Sequence, residues 1–476
     1  MEAKHALIWL RNDLRLTDQA TLHQALREGY APYLVYCLDP RELSPTDLGF
    51  RRMEARRLAF LLETIADLRD QIRLLGGELL LRKGLPGEEI PTLAKELGLS
   101  RVYVSEEAAP YERADEAAVE QQLSRWGIEL TRVWQSTLYH PEDLPMGLEE
   151  LPAIFTEFRK AVEKQATVRP LVASPIQLPK PPVPAGNLPS LEELGYTLPK
   201  IDPRQAMAFK GGERAGLARV QQYYWEEDRL RTYKDTRNGL LGQGYSSKFS
   251  PWLALGCLSP RYLVQQVVRY EEERVQNQST YWMLFELLWR DYFRWVTRKF
   301  GAALFFPRGI KDQPLKIAKK PDMVRFKQWR TGQTGVPFVD ANMRELLHTG
   351  FMSNRGRQNV ASFLVKDLGI DWRWGAQWFE AQLIDYDVAS NWANWNYVAG
   401  VGNDPREHRY FHVIKQAQRY DPEGVYVRHW LPELAGLSAA DIHTPYACSK
   451  ENLSGAGVSL GKQYPFPVVT PPLEGS

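Results

Sequence analysis

From the N-terminus to about residue 135, short apolar or β-branched runs alternate with stretches of helical periodicity. Residues 6–10, 32–38, 78–82, 102–104 and 128–133 read as strands, and the segments near 19–28, 51–75, 88–97 and 112–126 as helices. Strand and helix in strict alternation predict a parallel, doubly wound sheet. Between about 166 and 204 the periodicity fades and prolines stand at 170, 175, 179, 181, 182, 184, 189, 199 and 203, the pattern of an extended linker. From residue 205 the pattern is helical, with apolar stripes over 216–225, 260–273, 280–300, 339–349, 357–368 and 372–384. The expected organisation is an α/β domain over 1–135, a Pro-rich linker over 136–204 and an all-α domain over 205–476, with the last residues from about 450 as coil.

Composition bounds this picture without changing it. The chain has 476 residues, 44% hydrophobic and 25% charged, too long for one ordinary core and globular in balance. No run is apolar enough to span a bilayer, and the first strand pattern begins at once without a leader, so a cytoplasmic protein is expected. Cys37, Cys257 and Cys448 are too few and too scattered for a four-thiolate cluster or a disulfide framework, and no metal site is expected. The first strand is followed by Arg11-Asn12-Asp13 rather than Gly-x-Gly-x-x-Gly, which excludes the usual dinucleotide fingerprint. With 60 Lys+Arg against 58 Asp+Glu, a polyanion site must be a local patch.

Candidate chemistry concentrates in the helical half. Residues 383–397 (LIDYDVASNWANWNY) crowd Asp385, Asp387, Asn391 and several aromatics together, where an amphipathic helix would carry one polar and one apolar stripe. Carboxylates and amides can bond the edge of a flat heteroaromatic ligand while rings stack on it, so a buried organic cofactor is expected. In 281–293, helical spacing puts Glu286, Trp289 and Arg290 on one face beside Trp282 and Phe293. Either Glu286 and Arg290 form an exposed i,i+4 pair, or they line a partly buried pocket. In 244–254, Ser246, Ser247, Lys248, Phe249 and Ser250 precede an apolar helix, as a plain cap or as a pyrophosphate cradle. In 352–359, Asn354, Arg355, Arg357 and Gln358 form either a solvated turn or a phosphate-contacting surface.

In this order, WLRNDLRLTDQ, YSSKFSPWLALGCLSPR, FELLWRDYFRW, TGFMSNRGRQNVASFLVKDLGIDWRWGAQWFE, LIDYDVASNWANWNYVAGVGNDPR and YDPEGVYVRHWLPEL resemble the photolyase/cryptochrome family along essentially the whole chain, and within it the DASH class. The resemblance implies a U-shaped FAD in the helical domain. Matching positions are Tyr233, Ser246, Ser247, Lys248, Phe249 through its backbone, Ser250, Arg290, Asn354, Arg357, Asp385, Asp387 and Asn391. It also implies blue-light repair of cyclobutane pyrimidine dimers. Glu286 would hydrogen-bond the dimer and Trp289 stack on it, with Asn354, Gln358 and Tyr397 completing the catalytic pocket. Gln358 and Tyr397 replace a methionine and a tryptophan of conventional dimer photolyases. Weaker packing on a flipped dimer then favours single-stranded or looped DNA, where extraction costs little. Arg355 and Arg357 would contact that DNA. Trp395 and Trp372 match the first two members of the family's electron-transfer chain, whereas the third falls at Lys319. Two further departures are a missing Thr-Gly-Pro signature near Arg51–Arg57 and His412 in place of an asparagine. Glu107 is the candidate carboxylate for an antenna folate, methenyltetrahydrofolate. The chain is expected to act as a monomer without a membrane partner. The rival class is a blue-light photoreceptor or regulator that binds FAD and nucleic acid without significant repair.

Overall fold

The structure, a computed structural model, describes residues 4–315, 322–406 and 409–471. Five strands, β1 (Lys4–Leu10), β2 (Tyr30–Leu38), β3 (Leu79–Lys83), β4 (Arg101–Ser105) and β5 (Glu129–Val133), form one parallel sheet in the order β3-β2-β1-β4-β5. The alternation expected from sequence is therefore the one observed. Helices α1 (Ala20–Arg27), α2 (Ala55–Leu74), α3 (Pro86–Glu96) and α4 (Pro110–Ser124) cover both faces. Because side chains alternate along a strand, Ala6, Ile8 and Leu10 enter one core while Leu7 and Trp9 enter the other, which lies under α3 and α4.

The segment expected as linker contains a helix, α5 (Phe155–Gln165). Phe155, Phe158 and Val162 recur at helical spacing and are buried, so packing overrides the extended reading there. The helical half follows as α6 (Glu213–Val220), α7 (Tyr233–Thr236), α8 (Ser250–Ala254), α9 (Pro260–Glu273), α10 (Gln278–Phe300), α11 (Met323–Arg330), α12 (Pro337–Thr349), α13 (Asn354–Ser362), α14 (Trp372–Gln382), α15 (Val388–Ala399) and α16 (Val413–Tyr420). After α6 and after α13 the helix widens into a π-helical turn, Gln221–Glu226 and Phe363–Asp367 respectively. A short helix, Lys450–Gly455, interrupts the C-terminal stretch expected as coil.

The loop after β1 joins the halves. The Glu213 carboxylate accepts the backbone N–H groups of Leu16 and Thr17 at 2.8 Å each, Asp18 pairs with Arg261 at 2.6 Å, and Arg15 donates to the Gly256 carbonyl at 2.9 Å. Gly256 has φ +66°, and a Cβ there would come within 2.0 Å of the Asn12 carbonyl oxygen. Only glycine fits that approach. No described helix is long and apolar enough to cross a membrane.

Candidate active site

Two capped helix starts and the turn between α14 and α15 build a narrow cleft. Ser353 accepts from the Gly356 N–H at 3.0 Å and starts α13, which brings Asn354, Arg357 and Gln358 to the cleft. Asp387 accepts from the Ser390 N–H at 2.8 Å and starts α15, which brings Asn391 and Trp395 to the opposite wall. The cavity between them measures about 100 Å³. Within it Asp385 Oδ2 accepts from Arg357 Nη2 at 2.7 Å and from Ser250 Oγ at 2.6 Å. Asp385 Oδ1 is buried with no partner among the described residues, an acceptor free for a ligand N–H. Asn391 donates to the Ala376 carbonyl at 3.1 Å, which fixes its amide. Burial raises the Asp387 carboxyl, but Arg294, 2.7 Å away, and Arg290 more than offset this and hold it far below the usual range. Among the described residues, no cluster of three or more His, Cys, Asp or Glu side chains could hold a metal ion.

Ser250 couples the cleft to the loop that precedes it. Ser247, Lys248 and Phe249 are buried there, and Tyr233 is buried on α7. Arg290, expected beside Glu286, sends its guanidinium elsewhere, donating to the Ser136 carbonyl at 2.6 Å and the Leu253 carbonyl at 3.3 Å. Of the two readings of this face, the exposed Glu286–Arg290 pair is therefore not formed. Glu286 instead pairs with Arg237 at 2.6 Å. Burial pushes the Glu286 carboxyl up, with Arg237 opposing.

Trp289 stacks on Phe155 with centroids 3.7 Å apart and meets the Tyr397 ring edge-on at 6.2 Å. One face of Trp289 is thus covered by α5. Arg409 donates to the Tyr397 hydroxyl at 2.7 Å and is held by buried Asp404. Arg355 donates to Gln358 at 2.8 Å and to Asn238 at 3.0 Å, which links the α13 wall to the residue beside Arg237. Arg357, expected both on the cofactor and on DNA, is turned into the cleft, bonded to Met352 and Asp385, whereas Arg355 does not line it. Sequence reading passed over Arg237, Phe155 and Arg409. Arg237 carries no local signal and Phe155 only the helical spacing it shares with Phe158 and Val162, whereas Arg409 lies in a stretch with Arg406, Lys415 and Arg419.

Trp395 packs on α14 at Gly375, with Phe379 at 5.1 Å and Trp329 at 6.3 Å between ring centroids. Trp372 meets Trp392 at 5.8 Å and donates to the Pro307 carbonyl. Lys319 lies outside the described residues. His412 caps α16, accepting from the Lys415 N–H at 3.4 Å.

A larger cavity of about 510 Å³ opens between the sheet and the helical half, lined by Arg11, Asn12, Glu107, Glu112 and Arg57. It lies at the carboxyl ends of β1 and β4, where the strand order reverses and doubly wound sheets receive ligands. The Glu107 carboxylate meets Asn12 at 3.4 Å, and burial raises it, with Arg11 and Arg294 opposing. Glu112, its neighbour, is pushed up to about 7 by burial and by Glu107. Arg51, Arg52 and Arg57, where the family signature is missing, pack on Tyr196, Glu380 and Tyr386. Tyr386 and Asp387 line both cavities and form the wall between them.

The family model for "DNA photolyase" matches residues 6–184, and that for "FAD binding domain of DNA photolyase" matches residues 282–472. The cryptochrome DASH of Gloeobacter violaceus is 52% identical over 470 residues, 98% of this chain and 94% of the relative. The chain belongs to the photolyase/cryptochrome family, in its DASH class. The crystal structure of a Synechocystis cryptochrome superposes with a TM-score of 0.95 at 51% identity, covering 99% of this chain and 98% of the other. A bacterial class III photolyase from Agrobacterium tumefaciens superposes with a TM-score of 0.85 at 30% identity, covering 99% and 95%. The helical half of this DASH-class chain is an FAD-binding domain, and the residues that line the cleft, from Asn354 to Val398, lie inside the matched segment. The donor set fits a flavin: an unpartnered buried carboxylate oxygen, a fixed amide and a paired arginine line one cleft.

Proposed function

We propose that this chain is a blue-light-dependent flavoprotein with deoxyribodipyrimidine photo-lyase activity, splitting cyclobutane pyrimidine dimers and preferring them in single-stranded or looped DNA. The arrangement of Glu286 and Trp289, one turn apart on α10 and walled by Tyr397, carries the proposal. FAD, held by Asp385, Arg357 and Asn391, would supply blue-light-driven electron transfer to the dimer.

This chain's residues bind and orient. Asp385, Arg357 and Asn391 hold the ring system at the cleft, and the Ser246–Ser250 loop takes the pyrophosphate. Glu286, whose carboxyl Arg237 holds in place at 2.6 Å, hydrogen-bonds the dimer. Trp289 offers the dimer one face, the other being covered by Phe155. Polar Gln358 and Tyr397 are already tied to Arg355 and Arg409, so they give a flipped dimer little apolar contact. Withdrawing a dimer from duplex DNA costs a few kcal/mol, which favours a single strand. Arg355, which shares the Tyr420 ring with Arg419, provides phosphate contacts. Glu107 and Glu112 suit the N–H edge of a folate in the larger cavity. Repair of one thymine dimer by prereduced protein, offered in single-stranded and duplex DNA, tests the reading.

A further inference from the structure

The loop that carries Ser246, Ser247 and Ser250 rests on two buried cations that form no ion pair among the described residues, Glu227 acting on Arg219 and Glu345 on Lys248 only from beyond contact. Arg219, on α6, is 2% exposed and donates only to neutral groups: the carbonyls of Gln243, Ser246 and Ser247 and the side chain of Gln222. Lys248 is 3% exposed, its backbone held at φ +55°, where side chains other than glycine's are strained. Its Nζ reaches only the Gln243 carbonyl at 3.3 Å and lies 3.3 Å from the centre of the Tyr245 ring. Neither cation forms an ion pair among the described residues. A buried charge without a counter-charge is costly, and two of like sign in one place more so. That arrangement is stable only when an anion completes it or when the lysine gives up its proton.

We infer that Arg219 and Lys248 are the buried counter-charge of the FAD pyrophosphate, and that retention of FAD is gated by the proton on Lys248. This rests on reading the serine loop as the pyrophosphate site. The groups that face Lys248 are Arg219 from α6, Glu345 from α12 and Tyr245 from its own loop. Burial and Arg219 bring Lys248 down to about 7, with Glu345 opposing. Glu345 is itself pushed up to about 7 by burial, while the Tyr426 hydroxyl donates to it at 2.7 Å. A pyrophosphate favours the protonated form of both groups. FAD affinity is therefore greatest below about pH 7 and falls as pH rises, by about tenfold per pH unit for each proton linked to binding.

The test uses holoprotein as purified, exchanged into buffers from pH 6 to 9.5 at fixed ionic strength, with FAD release followed by its fluorescence. Release should accelerate with pH in the wild type, lose most of that dependence in Lys248→Arg, and be fast at every pH in Lys248→Met. Glu345→Gln should keep the lysine's part of the profile. A Lys248→Arg profile that tracks the wild type, or a wild-type release rate independent of pH, overturns the inference. The double variant Ser246→Ala/Ser247→Ala separates this from the loop reading. If it sheds FAD while the Lys248 variants behave as wild type, the loop reading stands and the gate falls; if it keeps FAD as the wild type does, the loop reading itself fails.

Discussion

Arg357 Nη2 lies 2.7 Å from Asp385 Oδ2, while the second oxygen of the same carboxylate is buried without a protein partner. One oxygen is thus satisfied by the fold and the other left for a ligand. Asp385→Ala removes the ligand's acceptor and leaves Arg357 unpaired, a loss of about 2–5 kcal/mol for a buried, hydrogen-bonded charge. The variant should purify with little flavin colour relative to its protein absorbance. Full retention of FAD would refute the assignment of Asp385.

Trp395 sits in the cleft wall beside Phe379 and Trp329. If it passes electrons to the flavin, Trp395→Phe should abolish photoreduction of oxidised FAD while chemically reduced protein still repairs. Trp372→Phe should slow photoreduction without changing repair by reduced protein. Unimpaired photoreduction in Trp395→Phe would remove that residue from the path.

The polar wall predicts a gain of function. Gln358→Met with Tyr397→Trp adds apolar surface against a flipped dimer, and base stacking is worth about 1–3 kcal/mol. Repair of a dimer in duplex DNA should rise about fivefold or more relative to the single strand. An unchanged ratio would show that these two side chains do not set the preference.

Asp291 gives a pH test of stability. Its Oδ2 accepts from the Leu138 N–H at 2.8 Å, Oδ1 has no partner among the described residues, and burial pushes the group up to about 7, with Arg290 opposing. The folded chain therefore binds a proton that the unfolded chain has lost. The contribution of this group to stability is greatest below about pH 4 and falls as pH rises through about 7, by at most about 4 kcal/mol. The difference in Tm, Asp291→Asn minus wild type, should rise between pH 5 and pH 8. A difference that stays constant contradicts the shift.

The sheet was legible because parallel strands buried on both faces read as apolar runs, and each run in 1–135 meets a described strand within a few residues. Helix α5 was hidden by the surrounding prolines, although Phe155, Phe158 and Val162 keep helical spacing. The cleft was legible because Asp385, Asp387, Asn391 and Trp395 are close in sequence. Arg237 was not, since its pairing with Glu286 joins two helices far apart along the chain. The direction of a guanidinium is decided by tertiary contacts, which is why Arg290 and Arg357 turn to partners that helical spacing does not predict. The motif after β1 marked the family, but its physical use, clamping the two halves through Arg15 and Asp18, appeared only in three dimensions.

The most direct measurement is blue-light repair of a thymine dimer by the prereduced protein, with the same lesion in single-stranded and in duplex DNA. The account predicts repair of the single strand and little of the duplex. Absence of light-dependent repair of either, with FAD bound, would contradict it and leave a photoreceptor.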